Sequence, residues 1–366
     1  MKIKSDSELL ESDYGISVDK IVTSFIMPAT RPSSGIPKGI DETRFRAGRI
    51  HMMHEAAVKK QKQNTLCMNA AKKLIQCKRE SNVIILTGVL HPIYFPKGET
   101  DGPTGAAALA RALSFGLGIH PIIVSENATT EVIAQACLSA GLVSKWDSNK
   151  EIRPRSVTVK GFPVIDIEKT KEEAKKLLDK FNPSAVISVE RKGRNSKGEY
   201  HSVLGTPRSK YEAKLDYVID EARNRKILTI GIGDNGNEIG YGNILDDVKK
   251  IQMFGEKCQC KCNSGIASIV KTDLLVPCST SNWGAYGIEA CIALLLKNSK
   301  IMHDSEIEDR MLNAINKLGC ADGSTILSTP TCDGTEKASL YIVDLLKCMV
   351  ELSTVTKKES FKTIIR

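Results

Sequence analysis

The sequence predicts an α/β protein: a mostly parallel β-sheet flanked by helices, with a short loop-rich N-terminal arm. Three observations predict it. Apolar runs of four to seven residues recur along the chain, segments of helical periodicity separate them, and the loops after these runs are rich in Gly, Pro and polar residues. Near-continuous apolar strands suit a sheet covered on both faces, and strand–helix alternation suits parallel crossovers.

In chain order, residues 1–45 contain MPATRPSSGIPKG, whose Pro, Ser and Gly read as an extended arm and not a domain of its own. A helical pattern runs over 46–79 and breaks near 63–65. NVIILT (82–87) is a short buried strand, followed by the helix-like GPTGAAALARALSFG (102–116). PIIVS (121–125) is a second strand and TTEVIAQACLSAGL (129–142) the helix after it. A strand over 157–164 precedes a helix over 169–181, and AVISV (185–189) precedes a helix over 210–225. The run 227–232 is a strand with a helix expected from about Glu238, and LLVPC (274–278) is a strand leading to a helix over 285–296. The expected division is an arm (1–45), one α/β domain (46–350) and a tail (351–366), with no internal repeat and no low-complexity tract.

A chain of 366 residues can bury a large core, and 41% hydrophobic with 26% charged residues is ordinary for a soluble globular protein. The net charge of +9 comes from 52 Lys and Arg spread among 43 Asp and Glu, and aromatics are few at 5%. That argues against nucleic acid as a partner, although a basic surplus helps attract small anions. Eleven cysteines, an odd number scattered through apolar segments, suggest reduced thiols and no disulfide framework. Cys258, Cys260 and Cys262 lie at C-x-C-x-C spacing, tighter than the C-x-x-C of zinc sites and with no His nearby in sequence, so they read as incidental thiols of a strand or loop. His51 and His54, three apart on a helix, lack a third ligand close by and read as surface or packing residues. No signal peptide is visible, and the apolar run 290–296 is too short to cross a bilayer. The expectation is a cytoplasmic protein, with a mitochondrial address and homo-oligomerisation left open.

Ligands of open parallel sheets bind beyond the carboxyl ends of the strands. The stretches following the strands are therefore informative. After NVIILTG comes a loop holding Glu99 and Asp101; after AVISV come Glu190, Arg191 and Arg194; after ILTI comes GIGDNGNEIG; after LLVPC come Ser281, Asn282 and Trp283. Asp101 precedes Gly102-Pro103 and suits an N-cap, but Glu99 does not, and the pair resembles a site for a hard cation or an ammonium group. Gly231, Gly233 and Gly236 fit the G-x-G-x-x-G of a dinucleotide turn, yet Asp234 inside it would repel a pyrophosphate. The glycines instead let the backbone turn sharply while Asp234, Asn235, Asn237 and Glu238 supply oxygen and amide ligands; helix capping by Asp234 is the plain alternative. Arg191 and Arg194 can hold a carboxylate bidentately or be solvated surface charge. Ser281 and Asn282 could donate to a developing oxyanion, and Trp283 either lines the site or anchors a helix in the core.

Taken together, GETDGP, ER-x-GR, GIGD-x-GNEIG, SNWGAY and the late Ala321-Asp322-Gly323 and Asp333-Gly334 resemble the D-glutamate cyclase family, from about Gly48 to Leu346. The resemblance implies conversion of D-glutamate to 5-oxo-D-proline with loss of water, and a divalent metal, Mn²⁺ or Mg²⁺, held among Glu99, Asp101, Asp234 and Glu238. It implies catalytic roles for Asp234, Glu238, Ser281 and Asn282, and substrate contacts from Glu190, Arg191, Arg194, Asn237 and Trp283. Asn235, Lys192 and Thr104 stand where the family pattern leads one to expect Gly, Pro and Pro, and none of these removes a charged group. Vertebrate-type members carry a large further N-terminal domain, for which these residues leave no room. The chemistry suits the residues: a carboxylate to deprotonate the ammonium, an arginine for the α-carboxylate, and a metal or donors to neutralise the γ-carboxylate. The rival enzyme reading is a metal-dependent phosphatase or related hydrolase; the rival non-catalytic reading is a nucleotide-binding regulatory protein.

Overall fold

In the computed structural model, residues 6–24, 49–146, 155–335 and 337–354 are described. The chain runs α1 (Asp6–Val22), α2 (Arg49–Gln61), α3 (Leu66–Leu74), β1 (Asn82–Thr87), α4 (Pro103–Leu117), β2 (His120–Glu126), α5 (Thr130–Ser139), β3 (Val143–Trp146), β4 (Ser156–Phe162), α6 (Ile167–Phe181) and β5 (Ala185–Val189). It continues through α7 (Asp216–Asn224), β6 (Leu228–Gly233), α8 (Leu245–Ile251), β7 (Leu274–Pro277), α9 (Ser281–Leu295), α10 (Ser305–Lys317) and α11 (Ala338–Thr354).

Among the described residues one sheet of 7 strands forms, ordered β3-β4-β2-β1-β5-β6-β7. Every neighbouring pair is parallel. The chain begins at the centre with β1, moves outward through β2 to the edge strand β3, steps back to place β4 between them, then returns to pair β5 with the other side of β1. At that reversal the loops leave in opposite directions, which opens a crevice beyond the carboxyl ends of β1 and β5. Successive strand residues face opposite sides, so an uninterrupted apolar run feeds two cores. Val83, Ile85 and Ile187 pack with Leu109 and Ile292 on the side of α4 and α9, while Ile84, Leu86 and Val186 pack with Leu177 and Val218 beneath α6 and α7.

The structure corrects several expectations. Part of the N-terminal segment is the helix α1, and the rest of the expected arm, with MPATRPSSGIPKG, lies outside the described residues. Asp19 of α1 accepts hydrogen bonds from the backbone amides of Leu66 (2.6 Å) and Cys67 (3.0 Å), the open donors of the first turn of α3. A Cβ at Gly15 would meet Thr65 Cγ2 at 2.8 Å and Met68 Cβ at 2.9 Å, so this helix-weakening glycine is what lets α1 approach α3. The tail expected from 351 is in fact helical as far as Thr354; residues 355–366 lie outside the described set. No helix begins at Glu238, because the amides of Ile239 and Gly240 donate to the carbonyls of Arg191 and Val270, and α8 starts only at Leu245. The edge strand β3, too short and polar to give a pattern, and the helices α10 and α11 lie outside the expected alternation.

Candidate active site

Four strand ends converge as their order dictates. Glu99 and Asp101 follow β1, Glu190 follows β5, Asp234 follows β6, and Ser281 opens α9 after β7. Asp101 does not cap its own helix α4. Its carboxylate instead accepts from the amides of Ser281 (2.9 Å) and Asn282 (2.8 Å), at the N-terminus of α9. Glu190 is held at a φ of 46°, in the left-handed region that side chains rarely adopt, and its Oε2 accepts from Ser281 Oγ at 2.6 Å. Oxygens of Asp101, Glu190 and Asp234 all lie within 4.8 Å of one another, and Asp101 and Asp333 make a second such group with Cys332.

The glycine-rich stretch turns because its own backbone is in the way. A Cβ at Gly231 would meet the Ile239 carbonyl oxygen at 2.4 Å, so the loop can fold back on β6 only over a bare Cα. The fold-back presents Glu238, whose carboxylate accepts from the amides of Asn235 (3.2 Å) and Gly236 (2.7 Å). Asp234 accepts from Asn235 Nδ2 at 2.7 Å through Oδ2. Its other oxygen, Oδ1, is buried with no hydrogen-bond partner among the described residues, as is Asp333 Oδ2. The amides of this turn serve a carboxylate of the chain itself, so the stretch is not a pyrophosphate cradle.

Burial and crowding set the electrostatics. Burial, then the charge of Glu190, pushes Asp101 up to about 7 even though the amides of Asn282 and Ser281 hold it down. The same two causes push Glu238 up to about 8. Asp234, Glu99 and Asp333 are all held well above the ordinary carboxylate range, first by burial and then by neighbouring acids. Lys192 is the cation among them: burial would lower its pKa, but Glu212, Glu99, Glu190 and Glu238 keep it above the usual value. Arg49, on α2, donates to Gln252 Oε1 at 3.1 Å and has Asp234 as its acidic neighbour. A crevice where several carboxyls resist ionisation is one that a cation would relieve. The donors are carboxylate oxygens and two of them are orphaned, which fits a hard divalent ion or an ammonium group.

Several expected site residues lie elsewhere. Arg191 is fully buried: its guanidinium bonds Glu126 in a fork, donates to the carbonyls of Gly88 and Ala213, and pairs with Glu212 at 3.3 Å. Arg194 is divided between Asp216 (2.7 Å) and Asp220 (2.5 Å). The terminal nitrogens of both arginines are taken up by the protein, and Arg191 Nε, unpartnered among the described residues, is itself buried, so neither presents an open fork to a substrate carboxylate. The side chain of Asn282 is likewise occupied, accepting from the amides of Gly102 (2.9 Å) and Gly105 (2.7 Å) and donating to the Thr100 carbonyl at 3.1 Å. Trp283 is buried in the core with Nε1 donating to Ser339 Oγ. Asn237 ties the glycine loop to the next loop by donating to the His201 carbonyl at 2.8 Å, and its Oδ1 is buried without a partner among the described residues. Conversely, Lys192, Asp333 and Arg49 received no role from sequence. Asp333 stands within a recognisable motif, Lys192 is a departure from the family pattern, and Arg49 gives no local signal.

Fold and crevice together define a class: a doubly wound α/β protein with an acidic crevice at its topological switch point. The profile of a family described as D-glutamate cyclase-like, C-terminal, matches residues 51–345, and the chain belongs to that family. The human protein named D-glutamate cyclase, mitochondrial, is 25% identical over 227 residues, which cover 58% of this chain and 33% of that protein. The chain thus spans a third of the length of this curated relative. No helix among the described residues is long and apolar enough to cross a membrane.

Proposed function

We propose that the chain cyclises an acidic amino acid, D-glutamate, to 5-oxo-D-proline with loss of water. The observation that carries this reading is the convergence of Asp101, Glu190 and Asp234 within 4.8 Å, with orphaned carboxylate oxygens beside them and too few cations to neutralise them. Such a crevice attracts an ammonium group and rejects a bare phosphate. The family membership and the name of the human relative point the same way.

In this reading the substrate ammonium enters among the acids and its α-carboxylate meets Arg49, which takes the anchoring role expected of Arg191 or Arg194. The γ-carboxylate lies beside Lys192, whose charge offsets part of its own. Asp234, partly buried and with an unpartnered oxygen, is held up by burial and neighbouring acids until a cation beside it favours the ionised form, which then takes a proton from the ammonium. The freed amine attacks the carbon of the γ-carboxyl group, Cδ, so the new C–N bond closes the five-membered ring; the second proton on nitrogen passes to the departing oxygen, and one C–O bond breaks. Glu238, pushed up to about 8, is mostly protonated at neutral pH and supplies the proton with which the departing oxygen leaves as water. Two carboxyls thus take opposite roles in one crevice. A divalent ion, Mn²⁺ or Mg²⁺, when bound, supplies charge neutralisation at the γ-carboxylate; Asp101 and Glu190, converging with Asp234, would hold it, with Glu99 alongside. Ser281 positions Glu190 through its hydroxyl.

Incubation with D- or L-glutamate, with and without Mn²⁺, tests this directly. The expected result is 5-oxoproline by mass from the D-isomer, lost in Asp234→Ala. Release of phosphate from small phosphate esters without any 5-oxoproline would replace this reading with the hydrolase one. The free thiols suit a reducing compartment such as the cytoplasm.

A further inference from the structure

A second constellation lies outside the acidic crevice. The segments between β5 and α7 and between α8 and β7 are long and mostly irregular, and they lie against each other. Their own apolar packing is slight: Met253, Phe254 and Ile266 form a small cluster apart from the main core. What joins them is polar. Gln259 donates from its amide to the Gly205 carbonyl and from Nε2 to the Leu204 carbonyl, and Asn195 Nδ2 donates to the Gly265 carbonyl at 2.7 Å. In the same place the turn at 258–263 closes through Asn263, at a φ of 50°, whose amide donates to the Cys260 carbonyl. This turn brings alternate residues to one point.

At that point Cys258 Sγ lies 3.5 Å from Cys260 Sγ and 3.3 Å from Cys262 Sγ. His201, from the facing segment, directs Nε2 to within 3.3 Å of Cys260 Sγ and 3.6 Å of Cys262 Sγ. These separations are far beyond a disulfide bond of about 2.05 Å. They are instead close to the edges of a tetrahedron, roughly 3.4–3.8 Å, that follow from Zn–S near 2.3 Å and Zn–N near 2.0–2.1 Å. We propose that Cys258, Cys260, Cys262 and His201 form a structural zinc site that clasps the two irregular segments together. The donor set is the Cys₃His of closed structural sites, and its soft thiolates select zinc over the hard cations suited to the crevice.

The surroundings agree. Asn195 Nδ2 donates to Cys262 Sγ at 3.5 Å, and the exposed Lys257 and Lys261 flank the surplus negative charge of such a site. The absence of a nearby His in sequence, which made these thiols look incidental, is overturned because the fold supplies His201 from another loop. The site also touches the crevice indirectly, since the His201 carbonyl is the acceptor for Asn237.

The test is metal content of the full chain purified from zinc-supplemented cells, together with the absorption spectrum after exchange with Co²⁺. About one zinc per chain is expected, released by a thiol-directed mercurial, with the intense thiolate-to-cobalt charge-transfer bands of a tetrahedral site. Cys258→Ser and Cys262→Ser should lose these bands, whereas Cys348→Ser, at an exposed cysteine elsewhere, and Asp101→Asn, in the crevice, should retain them. If the serine variants fail to fold, the wild-type cobalt spectrum still decides. Metal-free protein with three reactive thiols, a Cys258–Cys262 disulfide by mass, or a Co²⁺ spectrum without thiolate bands overturns the proposal.

Discussion

The stretch after β5, ERKGR, feeds two acid clusters of opposite character. On one side Arg191 is enclosed by Glu126 and Glu212, and Arg194 by Asp216 and Asp220, so each guanidinium meets matching carboxylates. On the other side Glu190 turns into a crevice with Asp101, Asp234 and Glu238, where Lys192 is shared with acids of both clusters. Buried charge that is paired and hydrogen-bonded holds a fold together, and removing one partner leaves the other stranded. Buried charge of one sign works against the fold until something of the opposite sign arrives. The difference explains why the arginines at a ligand-facing strand end are not ligand anchors: the protein itself neutralises them.

The largest effect should separate the two clusters in opposite directions. Asp234→Asn is expected to lower turnover by about 10²–10⁴-fold, the usual contribution of a general base. In urea unfolding of metal-free protein the same variant should be as stable as wild type or more so, because a repelling charge is gone. A marked loss of stability in Asp234→Asn would break the comparison. Arg191→Met should do the reverse, destabilising by about 3–5 kcal/mol as Glu126 and Glu212 lose their partner. An unchanged urea midpoint for Arg191→Met would show that this cluster is not held by charge.

A third cluster sharpens the contrast through pH. His303 is buried between Glu289, 2.6 Å from Nδ1, and Glu308, 3.5 Å from Nε2. Burial alone would lower its pKa, but Glu289 and Glu308 raise it from 6.5 to about 9. The native state therefore binds more protons than the unfolded chain between those values, and stability must fall as pH rises. The contribution is fully present below about 6.5 and lost by passage through about 9, and is on the order of 3 kcal/mol at most. His303→Gln should lack this alkaline loss in urea midpoints taken across that range. Parallel pH profiles for the two proteins would remove His303 from the set of paired charges.

The fold was legible because parallel strands buried on both faces leave uninterrupted apolar runs; NVIILT and AVISV gave β1 and β5 at their observed limits. Helix α1 was not, because Gly15 and scattered acids hide a docking surface that exists only once α3 is beside it. The acids of the crevice were legible as polar groups at strand ends, and strand order brings Glu99, Asp101, Glu190 and Asp234 together. What sequence could not show is which charges the fold would consume. Arg191 and Lys192 are adjacent in sequence, yet one is sealed by Glu126 and Ala213 while the other has Glu99 and Glu190 as neighbours. Nothing local marks Arg49 or His201 either, since their partners come from distant loops.

The smallest effect tests how exposure grades a matched pair. Arg194 bridges buried Asp216 and the more open Asp220, with side-chain exposures of 17%, 0% and 35%. It also lies over the Tyr217 ring at 4.5 Å, so it keeps an attractive contact when one carboxylate is removed. Losing the outer partner in Asp220→Ala should therefore cost less than about 1 kcal/mol, with that cost shrinking as salt screens the exposed side. Asp216→Ala should cost more and depend less on salt, because Asp216 also accepts from the Tyr200 hydroxyl and the Arg194 amide away from solvent. Urea midpoints at low and high NaCl decide the matter. Equal costs for the two variants, or equal salt dependence, would mean that pairing in this cluster is set by something other than burial, and the contrast with the crevice would lose its physical basis.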